Sequence, residues 1–234
     1  MGSGKATCDG SLLSSDFQIA ANAFAEKWKK YNSGFPEWSW IDCSDRLGFS
    51  AHKNNDGYLS LQNVVLQRDL KEKLDDEGSS NDHEEPLDNA TLVHSSDDDG
   101  YRYDFHVVYS SSYRVPVLYF RAHSSDGQPL SLDEIEKNLP TRSANALIES
   151  KWTFITQQVR SYFVKFIDSS EHPYLNRPWY TLHPCGTSEW MKLLLEGDNS
   201  TTKGGKEQYL ISWFSVAGQV FGFKLPFEML KSIS

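Results

Sequence analysis

The side chains best suited to chemistry lie together in Leu182-His183-Pro184-Cys185-Gly186-Thr187-Ser188-Glu189-Trp190. A cysteine stands here with an imidazole two residues before it and Gly-Thr-Ser directly after it. An aromatic run, Pro178-Trp179-Tyr180-Thr181, leads in, and helical spacing begins at about Glu189. The thiol therefore sits between an extended segment and a helix start. A helix opening at Thr187 or Ser188 places free N–H groups and positive dipole beside the sulfur, which favours a thiolate. His183 can donate a hydrogen bond nearby, and Gly186 leaves room for an acyl carbonyl. The competing expectation is a small buried hydrophobe, as free cysteines often are.

The other reactive residue types offer less. Cys8 falls in a Gly/Ser-rich tail, and Cys43 follows an aromatic stretch and reads as structural. His172, His183 and Cys185 could form a zinc set, but no C-x-x-C accompanies them and the metal signal is weak. His52, His83, His94, His106 and His123 read as ordinary polar positions. No Gly-rich phosphate loop occurs, so no nucleotide cofactor is expected. A cysteine that carries an acyl group can pass it to water or to an amine. A hydrolase needs a base held by a firm orienting partner. No spaced His with Asn or Asp stands out for that role, so the residues tilt toward a carrier that protects its thioester.

Elements must hold this cysteine in place. Phe17, Ala20, Ala21, Phe24, Trp28 and Tyr31 recur at helical spacing and predict a helix over 16–31, with Ser15 as N-cap and Gln18 as its capping-box partner. Residues 35–41 and 58–66 read as strands, separated by the turn signal Asn54-Asn55-Asp56-Gly57. In residues 101–109, Tyr101, Tyr103, Phe105, Val107 and Tyr109 alternate on one face, and 114–122 is the partner strand. Pro116 belongs near the start of that pairing. Ser131 with Glu134 opens a short helix over 132–139. Residues 151–158 and 159–167 are apolar, the latter helix or strand, and 171–178 is loop. The cysteine's helix runs to Leu195. A last helix opens at Glu207 with Leu210, Trp213, Phe214, Ala217 and Phe221 in one stripe, and Pro226 ends regular structure. A helix, then antiparallel strands, then helices predicts an α+β fold.

Bulk properties narrow the classes. The chain has 234 residues, 38% hydrophobic, with formal charge −9. Without a basic stripe it is a poor nucleic-acid binder. No apolar run approaches the roughly 20 residues of a membrane helix, and no secretory signal opens the chain. Three cysteines at long spacing fit a reducing, cytoplasmic setting. The two sequons, at Asn89 and Asn199, then read as chance. Residues 1–14 are expected to be flexible and 15–234 to form one domain. Residues 71–100 are acidic, with too little apolar surface to offset ordering, and predict a mobile insertion.

The chain resembles the autophagy-related protein ten family of E2-like conjugating enzymes, in a plant-like form. The segments that carry the resemblance are 103–122, Trp152-Thr153-Phe154-Ile155-Thr156-Gln157-Gln158, Glu171-His172-Pro173, 178–187 and 209–226. Its specific parts are Ser110-x-x-Tyr113-x-x-Pro116 and Ser212-Trp213-Phe214-Ser215-x-x-Gly218-x-x-x-Gly222. The resemblance implies an E2-like fold, a curved antiparallel sheet with flanking helices. It implies that the E1-like autophagy-related protein seven passes the ubiquitin-like autophagy-related protein twelve to Cys185 as a thioester, for transfer to a lysine of autophagy-related protein five. It implies that Tyr113 and His183 lie beside the thiol. His-Pro-Cys is shared with the lipid-conjugating sister, autophagy-related protein three, which remains the alternative, with a cysteine hydrolase or a non-enzymatic adaptor behind it. Against the family's pattern, residues 159–170 read as an apolar insertion that loops out.

Overall fold

The structure is a computed structural model that describes residues 9–43, 56–66, 100–139, 167–196 and 205–231. Six strands form one sheet in the order β1-β2-β3-β4-β6-β5, with every neighbouring pair antiparallel. They are β1 (Ser39–Asp42), β2 (Gly57–Val65), β3 (Arg102–Ser110), β4 (Val115–His123), β5 (Ile167–Glu171) and β6 (Pro178–Leu182). The helices are α1 (Ser14–Tyr31), α2 (Leu132–Asn138), α3 (Thr187–Glu196), α4 (Gly205–Ala217) and α5 (Phe227–Leu230), with a 3-10 turn at Gly218–Phe221. The α+β expectation, an antiparallel sheet flanked by helices, is what the chain adopts. Cys8, His52, His83, His94, both sequons, the acidic segment 71–100 up to its last residue, Gly100, and residues 151–158 lie outside the described residues.

Helix α1 buries Phe17, Ala20, Ala21, Phe24 and Trp28, the stripe that its spacing foretells. Tyr31 is the exception and stays exposed. The expected Ser15 cap is corrected. The helix starts from Leu13, whose carbonyl accepts from the amides of Asp16 and Phe17, with no side-chain cap. Asp16 in the first turn pairs instead with Lys206 of α4 at 2.7 Å. Helix α4 is buried nearly all round, through Tyr209, Leu210, Ile211, Trp213, Phe214, Val216 and Ala217. It lies against α1 and the sheet at once, as a helix apolar on every side must.

Aromatic rings fill the space between. Phe214 meets Trp28 at 5.8 Å and Trp38 at 5.6 Å edge to face, and Phe221 meets Phe105 and Phe120 at 4.9 and 4.7 Å. Each such pair contributes about 0.5–1.5 kcal/mol beyond the area it buries. Pro226 does not end regular structure, because α5 follows it directly. A proline at a helix start forfeits only an N–H that has no intrahelical partner. The capping box of α2 forms as expected, with the Ser131 amide and hydroxyl both donating to the Glu134 carboxylate.

The sheet's other face is also covered. Cys43, Tyr58 and Val108 are buried there with Tyr119 and Tyr174 packed against them. His106 and His172 join them, at 3% and 0% exposure. The expectation that His106 is an ordinary polar position is therefore corrected. Its strand is buried on both faces, because the hairpin between β5 and β6 folds over it. Asp104 on the same face accepts from Arg121 at 3.0 Å and from the amide of Asn63 at 3.0 Å, where β2 bulges. Arg121 lies over the Trp179 ring.

Two more expectations change. Residues 9–14 are tied down, because Leu12 and Ser11 are buried and Tyr209 donates its hydroxyl to the Gly10 carbonyl at 2.7 Å. In the segment 159–170, residues 167–170 are the first four positions of β5 and pair with β6 from Leu182 back to Trp179. Residues 159–166 lie outside the described residues.

Candidate active site

Strand β6 delivers the cysteine. It leaves the sheet after Leu182, and Pro184 has no N–H with which to continue a ladder. The chain turns at Gly186, whose φ of 80° lies in the left-handed region that favours glycine. The Thr187 amide donates to the Pro184 carbonyl at 3.0 Å, and the Trp190 amide donates to the Gly186 carbonyl at 3.2 Å. Gly186 is thus the residue from which α3 starts, and Cys185 stands just before it. Trp190 and Met191 bury the inward side of α3, as their spacing foretells. Cys185 is not in a disulfide and is half-buried.

His183 is held by its own turn. Its Nδ1 accepts a hydrogen bond from the Cys185 amide at 3.2 Å. In the neutral ring the hydrogen then sits on Nε2. The donor expected of His183 is therefore its far nitrogen, while the near one orients the ring.

Tyr113 comes from the turn between β3 and β4. The strand register explains why it arrives here. Tyr119 pairs with Thr181 and Phe120 with Tyr180. Carrying that register onward sets Val115 opposite Cys185, so the turn before β4 falls beside the turn after β6. The Arg114 amide closes that turn on the Ser110 carbonyl at 2.7 Å, and Arg114 has a positive φ of 55°. The Tyr113 ring meets the His183 ring edge to face, 5.6 Å between centroids, and remains 46% exposed. A phenol and an imidazole thus meet at the turn that carries Cys185. Both can hold or move a proton where an amine meets an acyl carbonyl.

His172 does not join them. It sits in the β5–β6 turn, where its amide donates to the Arg177 carbonyl at 2.8 Å. That is the opposite end of β6 from Cys185, with the five residues of the strand between them. Its Nδ1 accepts from the Tyr174 amide at 3.3 Å, so Nε2 carries the hydrogen and donates it to Nδ1 of His106 at 2.9 Å. Burial lowers both imidazoles, His106 to about 3 and His172 to about 4, with Arg121 adding to each. Both rings are neutral at neutral pH. The pair locks the turn that starts β6. A signal for it was present in the strand itself, where His106 shares a face with Val108. What it faces is separated from it by more than sixty residues.

A family model described as autophagocytosis-associated protein, active-site domain, matches residues 16–228. The ubiquitin-like-conjugating enzyme ATG10 of Arabidopsis thaliana is 45% identical over 240 aligned positions, covering 98% of this chain and 100% of that protein. The protein of the same name from Homo sapiens is 37% identical over 150 positions, 64% of this chain and 62% of that one. Autophagy-related protein 3 of Kluyveromyces lactis is 31% identical over 96 positions, 40% of this chain and 26% of that one.

Proposed function

The chain belongs to the autophagocytosis-associated, active-site-domain family and is an E2-like ubiquitin-like-conjugating enzyme of autophagy, and from that premise we propose that Cys185 is its acyl carrier. The E1-like autophagy-related protein seven delivers the activated carboxyl terminus of autophagy-related protein twelve. The modifier arrives as a thioester of the E1. The Cys185 sulfur attacks that carbonyl and forms its own thioester, the bond to the E1 sulfur breaks, and the E1 thiolate leaves and takes up the proton that Cys185 gave up. A lysine of autophagy-related protein five then attacks the same carbon, in the cytoplasm. The C–S bond breaks, an isopeptide bond forms, and the lysine nitrogen gives up two protons in passing from ammonium to amide.

The observation that carries this reading is the partly buried Cys185 just ahead of α3, whose amide holds the His183 ring, which in turn meets the Tyr113 ring. Tyr113 and His183 orient the entering amine and take part in moving its protons, and their donors steady the tetrahedral oxyanion. Nδ1 of His183 accepts from the Cys185 amide, so the ring is oriented by its own turn. The match to ATG10 of Arabidopsis spans nearly the whole chain, and the match to autophagy-related protein 3 spans less than half. That difference favours a protein acceptor over a lipid.

The test is reconstitution with the E1, the modifier and ATP. Wild type is expected to give a reductant-sensitive adduct, and Cys185→Ser a reductant-resistant ester. An adduct that survives in Cys185→Ala, or no adduct at all, defeats the assignment. Addition of autophagy-related protein five is expected to discharge the thioester onto a lysine. Discharge onto amine-headgroup lipid vesicles in its place assigns the chain the sister's reaction.

A further inference from the structure

The β4–β6 ladder holds no pair beyond Tyr119 and Thr181 among the described residues. Tyr113 and Cys185 both lie past that point, on separate turns. Residues 9–12, a strap that runs ahead of α1, touch both. The Leu12 amide donates to the Arg114 carbonyl at 2.8 Å, next to Tyr113. The Asp9 carboxylate lies 3.6 Å from the Arg114 guanidinium, and its other oxygen accepts from the amide and hydroxyl of Ser11. On the other side the strap lies flat on the first turns of α3. A Cβ built at Gly10 would overlap the Ser188 carbonyl oxygen and the Lys192 amide nitrogen, and Gly10 has a φ of 74°. Glycine is the residue that suits both demands. Two hydroxyls hold the strap from below, the buried Tyr209 on the Gly10 carbonyl and the half-buried Tyr109 on the Leu12 carbonyl at 2.9 Å.

We propose that this strap, centred on Gly10 and Leu12, is a positioning element for the conjugation site. It sets the distance between the turn bearing Tyr113 and the helix start bearing Cys185. The inference rests on Cys185 being the acyl carrier. The strap bears on the Arg114 carbonyl and on the backbone of α3. It acts by spanning two turns whose relative placement decides whether a phenol and an imidazole reach an amine at the thioester. Misplacement of about 1 Å at such a site costs on the order of 100-fold in rate. Charging by the E1 brings its own partner surfaces and depends less on Tyr113. The strap therefore matters most in discharge.

Two variants test this. Gly10→Ala adds one carbon against α3. The double variant Tyr109→Phe with Tyr209→Phe releases the strap without adding an atom and keeps both rings. Gly127→Ala is the control, because Gly127 has a φ of 83° with open space around it. It carries the backbone strain without the contact. Each protein is charged with E1, modifier and ATP, then discharged onto free lysine well below its thermal midpoint. The expected result is wild-type charging with discharge slowed at least about tenfold in Gly10→Ala and severalfold in the double variant, and wild-type discharge in Gly127→Ala. Wild-type discharge in both strap variants overturns the proposal. So does a fall of charging and discharge in equal measure, which marks a merely structural role. If the wild type carries no adduct at Cys185, the assignment of the carrier itself fails, and the strap's role falls with it.

Discussion

Acidification should unlock the turn that starts β6, and the His106–His172 pair allows the size of the effect to be worked out. An unfolded histidine takes up a proton as the pH falls through about 6.5. In the folded protein burial holds His106 down to about 3 and His172 to about 4. Between those values the unfolded chain binds more protons than the folded one, so stability rises with pH across the window. It is fully present above about 6.5 and is lost as the pH drops toward 4 and then 3. One group costs up to about 1.4 kcal/mol per pH unit within its window. From pH 7 to pH 5 that is about 2 kcal/mol for each ring, because neither is protonated in the folded state at pH 5. The environment offers nothing to accept the new charge cheaply. Tyr58 and Trp179 stack on His106, and Arg121 lies close by with its charge turned to Asp104. His106→Asn keeps an acceptor for His172 Nε2–H and removes one titrating ring. The assay is urea unfolding followed by tryptophan fluorescence, at pH 7 and pH 5, for both proteins. Carboxylates and the remaining histidines are common to the two and cancel in the difference. The variant is expected to be less stable at pH 7, yet to lose about 2 kcal/mol less than wild type on acidification. Equal losses would refute the reasoning, since His106 would then be solvated or already charged at pH 7.

Two further outcomes follow from the described geometry. Tyr113→Phe keeps the ring against His183 and removes the phenol, so thioester discharge should slow by about 10-fold or more. Its unfolding midpoint should move by less than about 0.5 kcal/mol, because the side chain is 46% exposed; single-turnover discharge to lysine checks the first and urea titration the second. Deleting residues 159–170 removes four of the five paired positions of β5 and uncovers β6 beside the catalytic turn. The thermal midpoint should fall and discharge should slow with it, whereas an unchanged midpoint would show that other residues take up the strand's place.

Periodic elements were legible in the residues that form them. Phe17 through Trp28 repeat at helical spacing, and the same residues are buried on α1. Tyr103, Phe105 and Val107 alternate, and they line the helix-facing side of β3. The Ser131–Glu134 box opens α2, and Gly186 ahead of Thr187 opens α3. These are local matters. A backbone preference or a face to be buried is expressed within a few residues, whatever the rest of the chain does. Ser15 is not the cap because the helix starts one residue before it, at Ser14, from the Leu13 carbonyl.

The residues of the site divide along the same line. Cys185, with His183 two positions before it and a helix after it, was visible as a reactive arrangement in one stretch of sequence, because all of its parts lie within a single turn. Residue pattern without the family resemblance does not bring Tyr113 to His183, and nothing in the sequence buries His106 against His172 or lays Gly10 on the backbone of Ser188. Each of those meetings joins residues dozens to nearly two hundred positions apart, and strand register decides them. A shift of one residue turns a side chain to the opposite face of a sheet. Register is fixed by packing both faces of the sheet at once. The sequence thus determined which side chain could carry an acyl group. The tertiary structure decided which side chains stand around it, because only closing the sheet brings the β3–β4 turn, the end of β6 and the strap ahead of α1 to one place.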